Sequence, residues 1–191
     1  VYAGEMTAEL SGAPHQQWVY FWRYPASGHW CWLRVTLDSL GFPVIWETLT
    51  DGDDAVALYA ARSLEEQAAK QFGAPDGDGA FALARGAKTA GNAVLVRILN
   101  DGPVPMGPMV YVDARRAVTT VICRCMPSQV ESISATANYA LAPAETQPAL
   151  PVAPSAASAY LPEALLRSCP VGRALADAGF LERQLRLPAG F

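Results

Sequence analysis

The sequence predicts an α+β fold: an antiparallel sheet of about five or six strands packed by one long helix, with an Ala/Pro-rich C-terminal extension carrying short helices. Three observations predict it. Short runs of β-branched and aromatic residues recur between Gly/Pro turn signals. One stretch, 54–72, carries apolar residues at helical spacing. After Pro127 the composition shifts to Ala, Ser and Pro. By these boundaries 1–14 is an N-terminal arm, 15–127 the α+β core, and 128–191 a Pro-rich extension ending in short helices.

Residues 1–14, with Gly4, Gly12 and Pro14, read as irregular. From Gln17 to Tyr24 the chain is dense in β-formers. Pro25-Ala26-Ser27-Gly28 reads as a turn, since Pro sets φ and Gly relieves the next bend. His29 to Leu37 is the returning strand of a hairpin. Asp38 to Pro43 is a second turn, and Val44 to Leu49 a third strand.

Asp51-Gly52-Asp53-Asp54 reads as a helix start, because carboxylates suit the unpaired N–H groups there. Val56, Ala60, Leu64, Ala68 and Phe72 follow at four-residue spacing. Lys70 lies in the last turn, Gly73 at C′, and Pro75 stops the helix. Residues 73–92 are Gly-rich, with room for a short helix around Ala80 to Ala87. Ala93 to Leu99 is a strand, and Asn100-Asp101-Gly102-Pro103 a turn. Met109 to Asp113 and Ala117 to Met126 form a second hairpin around Ala114-Arg115-Arg116. Residues 142–162 hold five prolines and read as a linker or a wrapping segment. Short helices are expected after Pro162, from Pro170 to Gly179, and over Phe180 to Leu187.

The chain has 191 residues, 51% hydrophobic and 17% charged, with a formal net charge of −4. Disorder needs the opposite balance. No uninterrupted apolar run is long enough for a membrane span. Mild acidity argues against nucleic acid as a partner. Of the 14 basic residues only Lys70 and Lys88 are lysine, a bias that fits a GC-rich bacterial genome. The chain begins at Val1 without a Met, which fits a removed leader or a chain boundary; the reading leans to an exported or periplasmic setting. Cys31, Cys123, Cys125 and Cys169 allow either disulfides or buried free thiols. Cys123 and Cys125 are too close in sequence to bridge each other without strain.

The most distinctive feature is the aromatic hairpin. Alternation puts Trp18, Tyr20, Trp22 and Tyr24 on one face of their strand, and Trp30 and Trp32 on one face of the partner. If the register aligns them, six rings form a stacking platform for a ligand or partner. The competing expectation is that the chain covers this face itself, as large exposed apolar patches are unusual. Arg115 and Arg116 are candidates for an anion or a partner carboxylate at a hairpin tip. His29 and Cys31 invite a thiolate–imidazole reading, but residues two apart on a strand are spaced beyond direct contact. Asp51, Asp53, Asp54, Asp76 and Asp78 lack the spacing of a calcium loop. Gly86-Ala87-Lys88-Thr89 lacks the Gly before Lys that a phosphate-binding loop needs. No zinc spacing or hydrolase signature occurs. The sequence therefore predicts no metal and no cofactor.

The favoured function is a non-catalytic binding or protein-interaction domain, using the aromatic hairpin face, the wrapping Pro-rich segment, or both. Its expected partner is another protein or a second copy of the chain. The alternative is a small hydrolase-like or transferase-like enzyme with a site near the Gly-rich 73–92 loop and His29/Cys31.

Overall fold

The computed structural model describes residues 1–24, 26–75, 80–85, 93–101, 107–115, 118–124, 142–143 and 179–191. The elements are β1 (Tyr2–Leu10), β2 (Ala13–Arg23), β3 (Trp30–Leu37), β4 (Pro43–Thr50), β5 (Val56–Ala61), α1 (Arg62–Phe72), β6 (Ala93–Leu99), β7 (Gly107–Val112), β8 (Val118–Arg124), β9 (Ala142–Pro143) and α2 (Phe180–Gln184). The main sheet runs β6-β5-β4-β3-β2-β1-β9, and β7 pairs with β8 separately. Strands β1 to β5 form an antiparallel meander; β5–β6 and β1–β9 are parallel. The fold is α+β with a mixed, mostly antiparallel sheet.

The stretch read as an arm is instead a strand and a tight turn. Glu5, Thr7 and Glu9 alternate with Met6, Ala8 and Leu10, which is strand periodicity with one solvated face. Ser11 and Gly12 both have positive φ, 51° and 78°. That is the backbone of a two-residue hairpin turn whose twist matches the flanking strands. The aromatic strand thus has neighbours on both sides, β1 and β3.

The expected helix is also shorter. Val56–Ala61 forms β5 and only Arg62–Phe72 is helical. Val56, Leu58 and Ala60 satisfy a two-residue period as well as a four-residue one, and pairing with β4 and β6 decides between them. Asp53 therefore closes the β4–β5 turn, its carboxylate accepting the Thr50 N–H at 2.7 Å, rather than capping a helix. The start of α1 has no side-chain cap of its own. Asp101, just beyond β6, accepts the Ser63 N–H at 3.1 Å instead. At the other end Gly73 has φ 78°, and the Arg186 guanidinium donates to the Phe72 and Ala74 carbonyls.

In place of a helix near 80, Ala82 and Leu83 donate their N–H groups to the Glu65 carboxylate. Ala84 forms a bridge with Leu185. Segment 80–85, α1 and the tail 179–191 thus make one hydrogen-bonded layer. The tail reaches the sheet where Phe191 stacks on His15, ring centroids 4.1 Å apart. On the opposite sheet face, Val118 donates its N–H to Thr50 Oγ1 at 3.1 Å, so β8 lies over β4. Covered from both sides, β4 is buried at every residue after Pro43 and β3 at every residue after Trp30.

Of the Pro-rich stretch, the structure describes Ala142 and Pro143, which pair with Tyr2 and Ala3 of the chain's own sheet. The remainder, and the helices expected from Pro162 and Pro170, lie outside the described residues. So do Asp76, Asp78, residues 86–89, Arg116, Cys125 and Cys169. No helix among the described residues is long and apolar enough to cross a membrane.

Candidate functional site

The register of β2 on β3 decides which aromatic rings share a face. Trp18 opposes Val35, Tyr20 opposes Leu33 and Trp22 opposes Cys31, while Phe21 opposes Trp32 and Arg23 opposes Trp30. Opposed residues share a face, so even-numbered residues of β2 join odd-numbered residues of β3. The six-ring platform does not form. Trp18, Tyr20 and Trp22 lie on one side of the sheet; Trp30 and Trp32 lie on the other, where Trp30 stacks with Phe21 at 6.4 Å.

The second side is interior. Trp32 is buried, with the Arg34 guanidinium 5.3 Å from its ring centroid. Arg34 makes a two-point contact with Glu47, Nε to Oε2 and Nη2 to Oε1, each at 2.5 Å. Gln17 donates to Thr36 Oγ1 at 2.9 Å, and the His15 ring contacts the Leu37 carbonyl through Nδ1 at 2.9 Å. This polar band is buried, and its His15 end is capped by Phe191 of the tail.

The first side is open at one end. Trp18, Tyr20 and Trp22 are half-buried. Trp22 Nε1 donates to the Tyr24 hydroxyl at 3.3 Å, which ties the far end of that ring row down. Nearer β1, a shallow groove is lined by Ala3, Gly4, Glu5, Trp18 and Tyr20. Glu5 opposes Trp18 and Ala3 opposes Tyr20 across the β1–β2 ladder. Ala3, opposite Tyr20, is small and leaves part of that ring lining the groove. Burial, and after it the Glu5 carboxylate, raise the Tyr20 phenol above its ordinary pKa. Gln16 Nε2 donates to Glu5 Oε2 at 3.3 Å.

The sequence signalled Trp18 and Tyr20 through strand alternation but missed Ala3, Gly4 and Glu5. The alternation over 5–10 followed by Ser11-Gly12 was the signal that could have found them.

His29 and Cys31 are not brought together as a reactive pair. His29 Nδ1 lies 3.4 Å from Asp51 Oδ2, both side chains partly exposed. Cys31 is a buried cysteine on β3, between β2 and β4. Burial pushes its pKa up to about 11, with a Thr50 hydrogen bond opposing that shift and Asp53 and Asp51 adding to it. A thiol held neutral is a poor nucleophile. Arg115 stands exposed at the β7–β8 turn, where Asp113 Oδ1 accepts its backbone N–H at 2.8 Å. No group of three or more potential metal ligands converges among the described residues.

No family model, curated protein or solved structure matches this chain.

Proposed function

We propose that the chain is a non-catalytic binding domain and that the groove of Ala3, Gly4, Glu5, Trp18 and Tyr20 is its contact site. The observation that supports this reading is the pairing of two half-buried aromatic rings with an exposed carboxylate on the part of the sheet face nearest β1. Rings held on a strand offer contact area at low entropic cost, since the ladder has already fixed the backbone. A neighbouring carboxylate adds orientation and polarity to that surface.

Peptide and glycan arrays probed with the full chain and with Trp18→Ala test the reading. Truncating a ring that carries contact energy costs about 1–3 kcal/mol, so array binding should fall about fivefold or more in the variant. Binding that is absent from every array, or unchanged in Trp18→Ala, counts against the proposal. Tryptophan fluorescence and thermal melting of the variant establish that the fold is retained.

A further inference from the structure

We propose that β1 receives an extended, basic segment of a partner polypeptide as an added strand, with one cationic side chain seated in the groove against Glu5. This deepens the reading of that groove as a contact site and rests on it.

The backbone of β1 gives the first argument. Ala142 N–H donates to the Val1 carbonyl at 2.9 Å, so Val1 points its polar groups away from β2. Polar groups alternate sides along a strand, and Glu5, Thr7 and Glu9 therefore point outward as well. The two-residue turn agrees: Leu10 and Ala13 close it as a hydrogen-bonded pair, which directs the even residues of β1 towards β2. β9 pairs only with Tyr2 and Ala3. Among the described residues no strand pairs with the outer edge of Gly4–Leu10. An unpaired row of N–H and C=O groups is a template for a further strand.

Charge gives the second argument and selects the occupant. Glu5, Thr7 and Glu9 are exposed and lie on the groove side of the sheet. β1 carries no Arg or Lys, and the one cation of β2, Arg23, is on the opposite face. Among the described residues Glu5 forms no ion pair, its contact being the neutral Gln16 amide. Alternate side chains of an added strand on the groove side would stand beside Glu5, Thr7 and Glu9 in turn. Cations there gain from both carboxylates and from the electron-rich faces of Trp18 and Tyr20. A second copy fits poorly, because antiparallel pairing of two β1 strands about Thr7 sets Glu5 against Glu9.

The test titrates a blocked peptide of alternating Lys and Thr into the isotope-labelled full chain. Parallel titrations use its Glu-for-Lys counterpart and a version methylated on alternate backbone nitrogens. The expected result is saturable shifts at the Glu5, Thr7 and Glu9 amides with the Lys peptide alone. Glu5→Gln with Glu9→Gln should weaken that binding about three- to tenfold, while the dispersion of the spectrum stays unchanged. The proposal is overturned by equal binding of the Glu peptide or of the methylated one. It is equally overturned by undiminished binding in the double variant, by no shift at β1, or by concentration-dependent β1 shifts without peptide, which assign the edge to a second copy. Each of these outcomes leaves Trp18-dependent array binding in place, and loss of that binding is what removes the groove reading itself.

Discussion

Arg34 and Glu47 face each other on neighbouring central strands, both almost wholly buried. Their two-point contact satisfies each charge with the other, and Trp32 covers the guanidinium. Removing one partner strands the other charge in the interior, which costs about 3–5 kcal/mol. Arg34→Ala should therefore shift the urea midpoint sharply downward, and Arg34→Met with Glu47→Leu should recover most of the loss. Equal loss in both variants would show that packing volume, not charge, holds this spot. Cys31 makes a different residue-scale prediction. Its folded-state pKa is raised to about 11, above the ordinary thiol range of about 8.5. The neutral thiol's contribution to stability is thus complete below the unfolded pKa and is lost as pH rises from about 9 through 11. Alkylation of the native chain at pH 8 should be at least about tenfold slower than in denaturant, and rapid native labelling would contradict this account.

At the scale of elements, α1 shows how a helix can be terminated by distant residues. Its N-terminal Ser63 N–H reaches the Asp101 carboxylate, and its last carbonyl, that of Phe72, accepts from Arg186. Loss of a side-chain cap costs about 1 kcal/mol, so Asp101→Ala should lower stability by about that amount in chemical denaturation. A change near zero would mean that water serves Ser63 equally well. The same distance explains what was legible beforehand. Val44–Leu49 is a strand because burial and local propensity agree there, and Ala93–Leu99 is one on β-branched propensity and pairing with β5, since only Leu99 of it is fully buried. β1 was hard to see because a half-solvated strand rich in Glu, Thr and Ala has weak propensity, and β5 because buried Val56, Leu58 and Ala60 fit a strand period and a helix period equally, leaving pairing with neighbours to decide. Alternation along β2 made Trp18 and Tyr20 visible as one face. Whether Trp30 and Trp32 joined them depended on the register between strands, which no residue of either strand encodes alone.

At the scale of the whole molecule, the two sheet faces have different fates. One holds the buried Arg34–Glu47 pair and meets the tail at His15, and the other is covered by β8 over β4 while remaining open towards β1. The covering tail is joined to the first hairpin by chain-distant contacts: Ser11 N–H donates to Glu182 Oε1 at 2.6 Å and Ser11 Oγ to the Leu187 carbonyl at 3.2 Å. These partners are 171 and 176 residues apart. At ribosomal speeds of about 5–20 residues per second, the hairpin waits roughly 10–35 s for them. Throughout that interval His15 lacks the Phe191 ring that stacks on it and Ser11 lacks both of its tail partners. Completion of the first hairpin's packing is thus timed by synthesis, since its tail partners are the last described segment to emerge.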